Sequence, residues 1–100
     1  MEKLFTYGTI RNPRVQKRLL GKTINGTPDS IKGYCKSKIS IEGEQYPVLK
    51  PKPKSSVRGT VLEVSKKELK ILDDYETDAY KRSEVRLASG HHAWTYKRRN

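Results

Sequence analysis

A chain of 100 residues and 11.5 kDa has room for a single domain, spanning 1–100, since folding at this size buries about two thirds of the unfolded surface. Only 33% of the residues are hydrophobic and no apolar run exceeds two, which excludes a membrane-spanning helix and the apolar stretch of a signal peptide; the single Cys35 excludes an internal disulfide. Twenty-two Lys and Arg against 11 Asp and Glu leave a net charge of +11, so polyanions are attracted, while six Tyr, one Trp and regularly spaced aliphatics argue for a folded domain, expected in the cytoplasm.

The opening Lys3 to Tyr7 predicts a strand that ends at Gly8. Asn12 followed by Pro13 predicts a helix start, with a partial apolar stripe of Val15, Leu19 and Leu20 and a cap at Gly21. Turn-forming residues fill Thr23 to Asp29, and Ser30 to Ile41 reads as one or two strands. Glu42 to Gln45 reads as a turn and Tyr46 to Leu49 as a short extended piece. Lys50 to Lys54, alternating Lys and Pro, is expected to be a surface loop because proline neither continues a helix nor donates to a central ladder. Val57 to Val64 is the strongest strand. Ser65-Lys66-Lys67-Glu68 then forms a capping box, opening a helix through about Asp74. Tyr80 to Leu87 and His91 to Tyr96, joined at Ser89-Gly90, read as a closing hairpin. The order predicts an α+β domain with a mostly antiparallel, curved sheet.

Phosphate-loop, dinucleotide, nucleophile-elbow and Cys-x-x-Cys signatures are absent. His91 and His92, adjacent on a strand, face opposite sides and cannot chelate one ion; Cys35 reads as a structural thiol. Two segments stand apart. Tyr7-Gly8-Thr9-Ile10-Arg11 breaks a strand at glycine just before a helix, which is either an ordinary turn or a concave set of backbone N–H groups suited to an anion. Leu72 to Arg82 places Asp73, Asp74, Glu76 and Asp78 together in a cationic chain, either as a solvated helix end or as a site for a cation.

Taken together with Tyr46 to Pro51 (YPVLKP) and Val57 to Val64 (VRGTVLEV), the segments LFTYGTIR and LDDYETDAYKR resemble the γ-glutamylcyclotransferase-like superfamily, which includes plant and bacterial proteins named for an avirulence-induced gene. The resemblance covers nearly the whole chain. It implies a small, barrel-like, mostly antiparallel sheet with two short flanking helices. It also implies an enzyme that cyclises the γ-glutamyl group of a small amide or amine to 5-oxoproline without a metal or organic cofactor. By that resemblance Glu76 is the catalytic acid/base and Tyr7, Gly8, Thr9 and Ile10 bind substrate; Tyr80 and Arg82 are expected to shape the pocket or orient Glu76. Asp73, Asp74 and Asp78 are expected to raise the proton affinity of Glu76 by like charge, with burial acting the same way. The chain departs from the usual family pattern at Ile10, where Leu is common, and at Thr77, where Gly is common. It ends at Arg98-Arg99-Asn100, where many relatives continue, so a pocket wall is expected to be missing or supplied by another chain. The alternative is a basic binding module whose Arg11 to Lys22, Lys50 to Lys54 and Lys97 to Arg99 clusters contact nucleic acid or another polyanion. A third reading is an interaction protein that keeps the fold without chemistry.

Overall fold

The computed structural model describes residues 1–98, apart from the side chains of Ile41 and Asp78; Arg99, the end of the third basic cluster, lies outside the described residues. In chain order the elements are β1 (Glu2–Thr6), α1 (Pro13–Leu20), β2 (Thr27–Ile41), β3 (Glu44–Val64), α2 (Lys66–Glu76), β4 (Tyr80–Arg86) and β5 (His92–Arg98), with 3-10 turns at Thr9–Arg11 and Thr77–Ala79. The sheet order is β2-β3-β1-β5-β4. β1 runs antiparallel to β3 and parallel to β5, and the outer pairs are antiparallel.

Leu4, Phe5 and Thr6 of β1 are all buried, although neighbours on a strand point to opposite faces, so the middle of the sheet is covered on both sides. On one side Leu4, Leu62 and Val64 meet Leu69 and Leu72 of α2. On the other, Phe5, Val57 and Val61 meet Ile31 from one end of the sheet and Leu87 and Ala93 from the other. This second cluster is the inside of a curl. The curl is held across its open side by Ala88 N donating to Ser30 O (2.7 Å) and Ser89 Oγ donating to Asp29 Oδ2 (2.5 Å). Lys97 closes it further, donating to the Tyr34 hydroxyl (2.8 Å). The Ser89 hydroxyl holds the Asp29 carboxyl below its ordinary range.

The helix signals act where expected. Asn12 Oδ1 accepts from Arg14 N (2.9 Å), Pro13 opens α1, and Gly21 closes it with φ of 75°. Ser65 and Glu68 make both bonds of the capping box on α2. The apolar stripe of α1 is only half-buried, however, and its one buried residue is Gln16. The Gln16 amide donates to Ile10 O (2.9 Å) and accepts from Ile24 N (2.9 Å), tying the first 3-10 turn to the segment after the helix.

The expected Lys–Pro loop is instead part of β3, which runs for 21 residues. Pro51 pairs with Tyr34 and Ser56 with Lys32, so Gly33 stands opposite residues 52–55 in a wide register break. Pro53 is tolerated because it falls inside this break, where ladder bonds are interrupted anyway, and Pro51 sits at its edge.

Candidate active site

A cavity of about 600 Å³ opens where β1 gives way to the first 3-10 turn. Tyr7, Gly8, Thr9 and Ile10 form one wall; Tyr75, Glu76, Thr77 and Tyr80 form another; Glu44, Gln45, Tyr46 and Pro47, just past the β2–β3 turn, form the third. The two sequence segments singled out for chemistry therefore share one cavity, joined directly by a hydrogen bond between Thr9 Oγ1 and the Tyr75 hydroxyl (3.1 Å).

Gly8 has φ of −131°, open to any residue, so what favours glycine is space: a Cβ there would lie 3.2 Å from Pro47 Cγ. Pro47 thus lies close against this turn in the cavity lining. The 3-10 turn follows at once, and its leading N–H groups have no acceptor within the turn.

Glu76 enters the cavity because α2 runs two residues past its expected end at Asp74. Glu76 falls four and seven residues after the buried Leu72 and Leu69, on the face that packs against the sheet. Burial pushes its carboxyl up to about 7. Burial is thus the cause, and not the like charge of Asp73 and Asp74 expected from the sequence; the Asp78 side chain lies outside those described. Asp73 is engaged elsewhere. It accepts from the Tyr96 hydroxyl (2.7 Å) and pairs with Arg82 Nε (3.1 Å).

Three tyrosines surround Glu76. The Tyr7 hydroxyl donates to Tyr96 O (2.5 Å) and the Tyr80 hydroxyl to Pro47 O (2.7 Å). Burial is the first cause that raises Tyr7, Tyr80 and Tyr96 above the ordinary phenol range, followed by neighbouring Tyr80 for Tyr7, by the Glu76 charge for Tyr80 and by the hydrogen bond to Asp73 for Tyr96. All three remain protonated donors. Arg82 does not line this cavity. It sits in an adjoining hollow, its guanidinium 4.5 Å over the Trp94 ring, and is linked to the cavity wall through Asp73 and Tyr96. Sequence reasoning overlooked Tyr75, Tyr96 and the Glu44-Gln45 pair as lining residues. The spacing from Leu72 to Tyr75 and Glu76 was the available signal for the first. Among the described residues, no group of three or more His, Cys, Asp or Glu is placed to hold a metal ion.

The family model described as gamma-glutamyl cyclotransferase, AIG2-like, matches residues 4–100. The chain belongs to this family. AIG2-like protein C of Arabidopsis thaliana is 31% identical over 85 residues, 84% of this chain and 48% of its own length. AIG2-like protein D of the same plant is 28% identical over 88 residues, covering 87% of this chain and 57% of its own length. The chain spans about half the length of the curated relatives it matches. A solution structure of an Arabidopsis thaliana protein superposes with a TM-score of 0.84 at 27% identity, covering 99% of this chain and 69% of that one. A structure of a protein named gamma-glutamyl cyclotransferase, at 16% identity, shares the fold with a TM-score of 0.80, covering 99% of this chain and 67% of its own. The curled five-stranded sheet with two helices is that of this family.

Within this AIG2-like domain Thr77 is strained. It follows Glu76 with φ of 62° and ψ of −168°, a region essentially reserved for glycine and costly for a β-branched residue by about 1–3 kcal/mol. Thr77→Gly removes that strain, loses the bond from Ala79 N to Thr77 Oγ1 (3.3 Å) and adds freedom to the unfolded chain. The balance favours glycine by about 1 kcal/mol, a rise in Tm of about 4–8 °C, measured by thermal unfolding. A fall in Tm would show that Thr77 is not strained.

Proposed function

We propose that this AIG2-like domain is a γ-glutamyl cyclotransferase acting on a small γ-glutamyl amide or amine, with Glu76 as general base and then general acid. The observation that carries this reading is a buried carboxyl, raised to about 7, in a cavity shared with the Tyr7 to Ile10 turn. Among the described residues, the charged ones lining the cavity are Glu44 and Glu76, with no Lys or Arg, in a chain that carries +11 overall. Such a lining favours an ammonium.

The substrate's α-ammonium gives a proton to the Glu76 carboxylate, and the freed nitrogen adds to the γ-carbonyl carbon, closing a five-membered ring. Glu76 returns its proton to the leaving nitrogen, and the C–N bond to it breaks as the tetrahedral oxyanion collapses. The ring nitrogen gives up its second proton to Glu76, which passes it to the departing amine, so the products are 5-oxoproline and the amine as its ammonium. For an α-ammonium of ordinary pKa near 8, a base at about 7 makes the first transfer uphill by about 1.4 kcal/mol; an unperturbed carboxylate at 4.5 would make it nearly 5 kcal/mol. The N–H groups opening the first 3-10 turn would anchor the α-carboxylate and bend the chain for ring closure. Tyr80 lies in the cavity wall and shapes the pocket; Arg82 braces Asp73 and Tyr96 from outside.

The test is release of 5-oxoproline from a panel of γ-glutamyl amines and dipeptides across pH. Glu76 must be ionised in the free enzyme, so kcat/KM is expected to rise tenfold per unit below about 7 and level above it. A profile flat from 5 to 8 would remove Glu76 as the base, and no product from any substrate would remove the reaction.

A second reading rests on the β2–β3 ribbon. Lys32, Lys36, Lys38, Lys50, Lys52, Lys54 and Arg58 are all exposed there, and none forms an ion pair among the described residues. Such a surface suits a nucleic-acid backbone. Binding to a DNA duplex, followed by anisotropy, would weaken steeply between 50 and 200 mM salt and lose slope by about 1 for each ribbon Lys→Gln. Binding unmoved by these substitutions would discard the ribbon as the surface.

A further inference from the structure

Thr6 is the last residue of β1, directly before the Tyr7-Gly8 turn, and it lines the cavity. It is 5% exposed, and its Oγ1 is the buried side-chain polar atom for which no hydrogen-bond partner exists among the described residues. Other buried polar groups are satisfied: the Thr95 hydroxyl donates to Phe5 O (2.9 Å), the Tyr7 hydroxyl to Tyr96 O, and both ends of the Gln16 amide are used. Valine would fill such a strand position without stranding a hydroxyl, so the hydroxyl brings the empty fold a cost and no bond.

Strand alternation places Thr6 on the face of Leu4, and the parallel pairing of Leu4 with Trp94 brings it beside Tyr96. That is the face against which α2 packs and from which Glu76 enters the cavity. Three polar groups of a γ-glutamyl substrate need partners. In the reaction proposed above, the α-nitrogen faces Glu76 and the α-carboxylate faces the N–H groups of the first 3-10 turn. The γ-carbonyl oxygen remains, and so does the Thr6 hydroxyl.

We infer that Thr6 is a substrate-contacting residue whose hydroxyl donates to the γ-carbonyl oxygen and keeps that bond as the oxygen gains negative charge during ring closure. This inference rests on the cyclotransferase reading. A donor aimed at a developing oxyanion acts mainly on kcat.

Thr6→Val and Thr6→Ser in the full chain test it, with 5-oxoproline release and thermal unfolding without ligand as readouts. Thr6→Val is expected to lower kcat about 10- to 100-fold with little change in KM, and to melt at or above the wild-type temperature. Thr6→Ser, which keeps the hydroxyl, should stay within about fivefold of wild type. Unchanged kcat in Thr6→Val beside an active wild type overturns the inference and leaves the reaction standing. So does a Thr6→Val protein that melts well below wild type, since the hydroxyl would then have a structural partner. A wild type inert on every substrate overturns the reaction, and this inference with it.

Discussion

Glu76→Gln is expected to slow 5-oxoproline release by about a thousandfold, within the range of about 10²–10⁴ that a positioned acid/base supplies. Glutamine preserves the shape and burial of the side chain but can neither take the α-ammonium proton nor return it to the leaving amine. The substitution carries a second, opposite signature. Folded Glu76 titrates near 7 against 4.5 for the free group, so between those values the native state holds more protons than the unfolded chain. The wild type therefore loses stability as pH rises from 4.5 to 7, and Glu76→Gln does not. Unfolding followed at pH 5 and pH 8.5 should show nearly equal melting temperatures at the lower value and a higher one for the variant at the upper. Equal activity in the variant would remove the proposed role of Glu76. Equal melting at both pH values would mean that the carboxyl is not buried as described.

The second large effect is on stability. Gly59 sits in β3 where the strand crosses β1, and a Cβ there would lie 2.6 Å from Phe5 Cζ and collide with the Thr6 carbonyl. One obstacle is a fully buried ring and the other is backbone in the centre of the sheet, so neither can swing aside. Gly59→Ala is expected to cost about 3 kcal/mol or more, a large share of the roughly 5–15 kcal/mol that holds a domain of this size together. In a chemical denaturation series the midpoint should fall sharply with little change in slope. A loss below about 1 kcal/mol would show that β1 and β3 can separate there. Because the strain lands on Phe5 and Thr6, activity should fall along with stability.

Local chemistry made the frame legible. Asn12, Pro13 and Gly21 bound α1, Ser65 and Glu68 open α2, and the fold class follows from the order of the elements. The family was legible from the segments around Tyr7-Gly8 and Glu76, which the chain brings to one cavity. Features that depend on distant partners were not. Proline in Lys50 to Lys54 argued for a loop, yet a register break opposite Gly33 lets β3 pass through. Gln16 reads as a polar helix residue until Ile10 O and Ile24 N are found on either side of its amide. The raised carboxyl was expected partly from acidic neighbours, whereas its cause is the helical turn that carries Glu76 beneath the surface. The strained backbone at Thr77 is invisible in sequence, though the departure from the family's glycine marked the position.

The parallel pairing of β1 with β5 bears on how the molecule comes to fold. Leu4 lies beside Trp94, and the Tyr7 hydroxyl bonds a carbonyl 89 positions away, so the centre of the sheet joins segments from opposite ends of the chain. Local hairpins such as β2–β3 and β4–β5 can close in microseconds, but this seam must wait for a loop of nearly the whole chain to close, which places folding in the millisecond-to-second range. The Tyr7–Tyr96 bond forms across the same seam. Recovery of catalytic activity after dilution from denaturant should therefore trace the slowest folding phase, because no earlier species has Tyr96 in place against Tyr7 in the cavity wall.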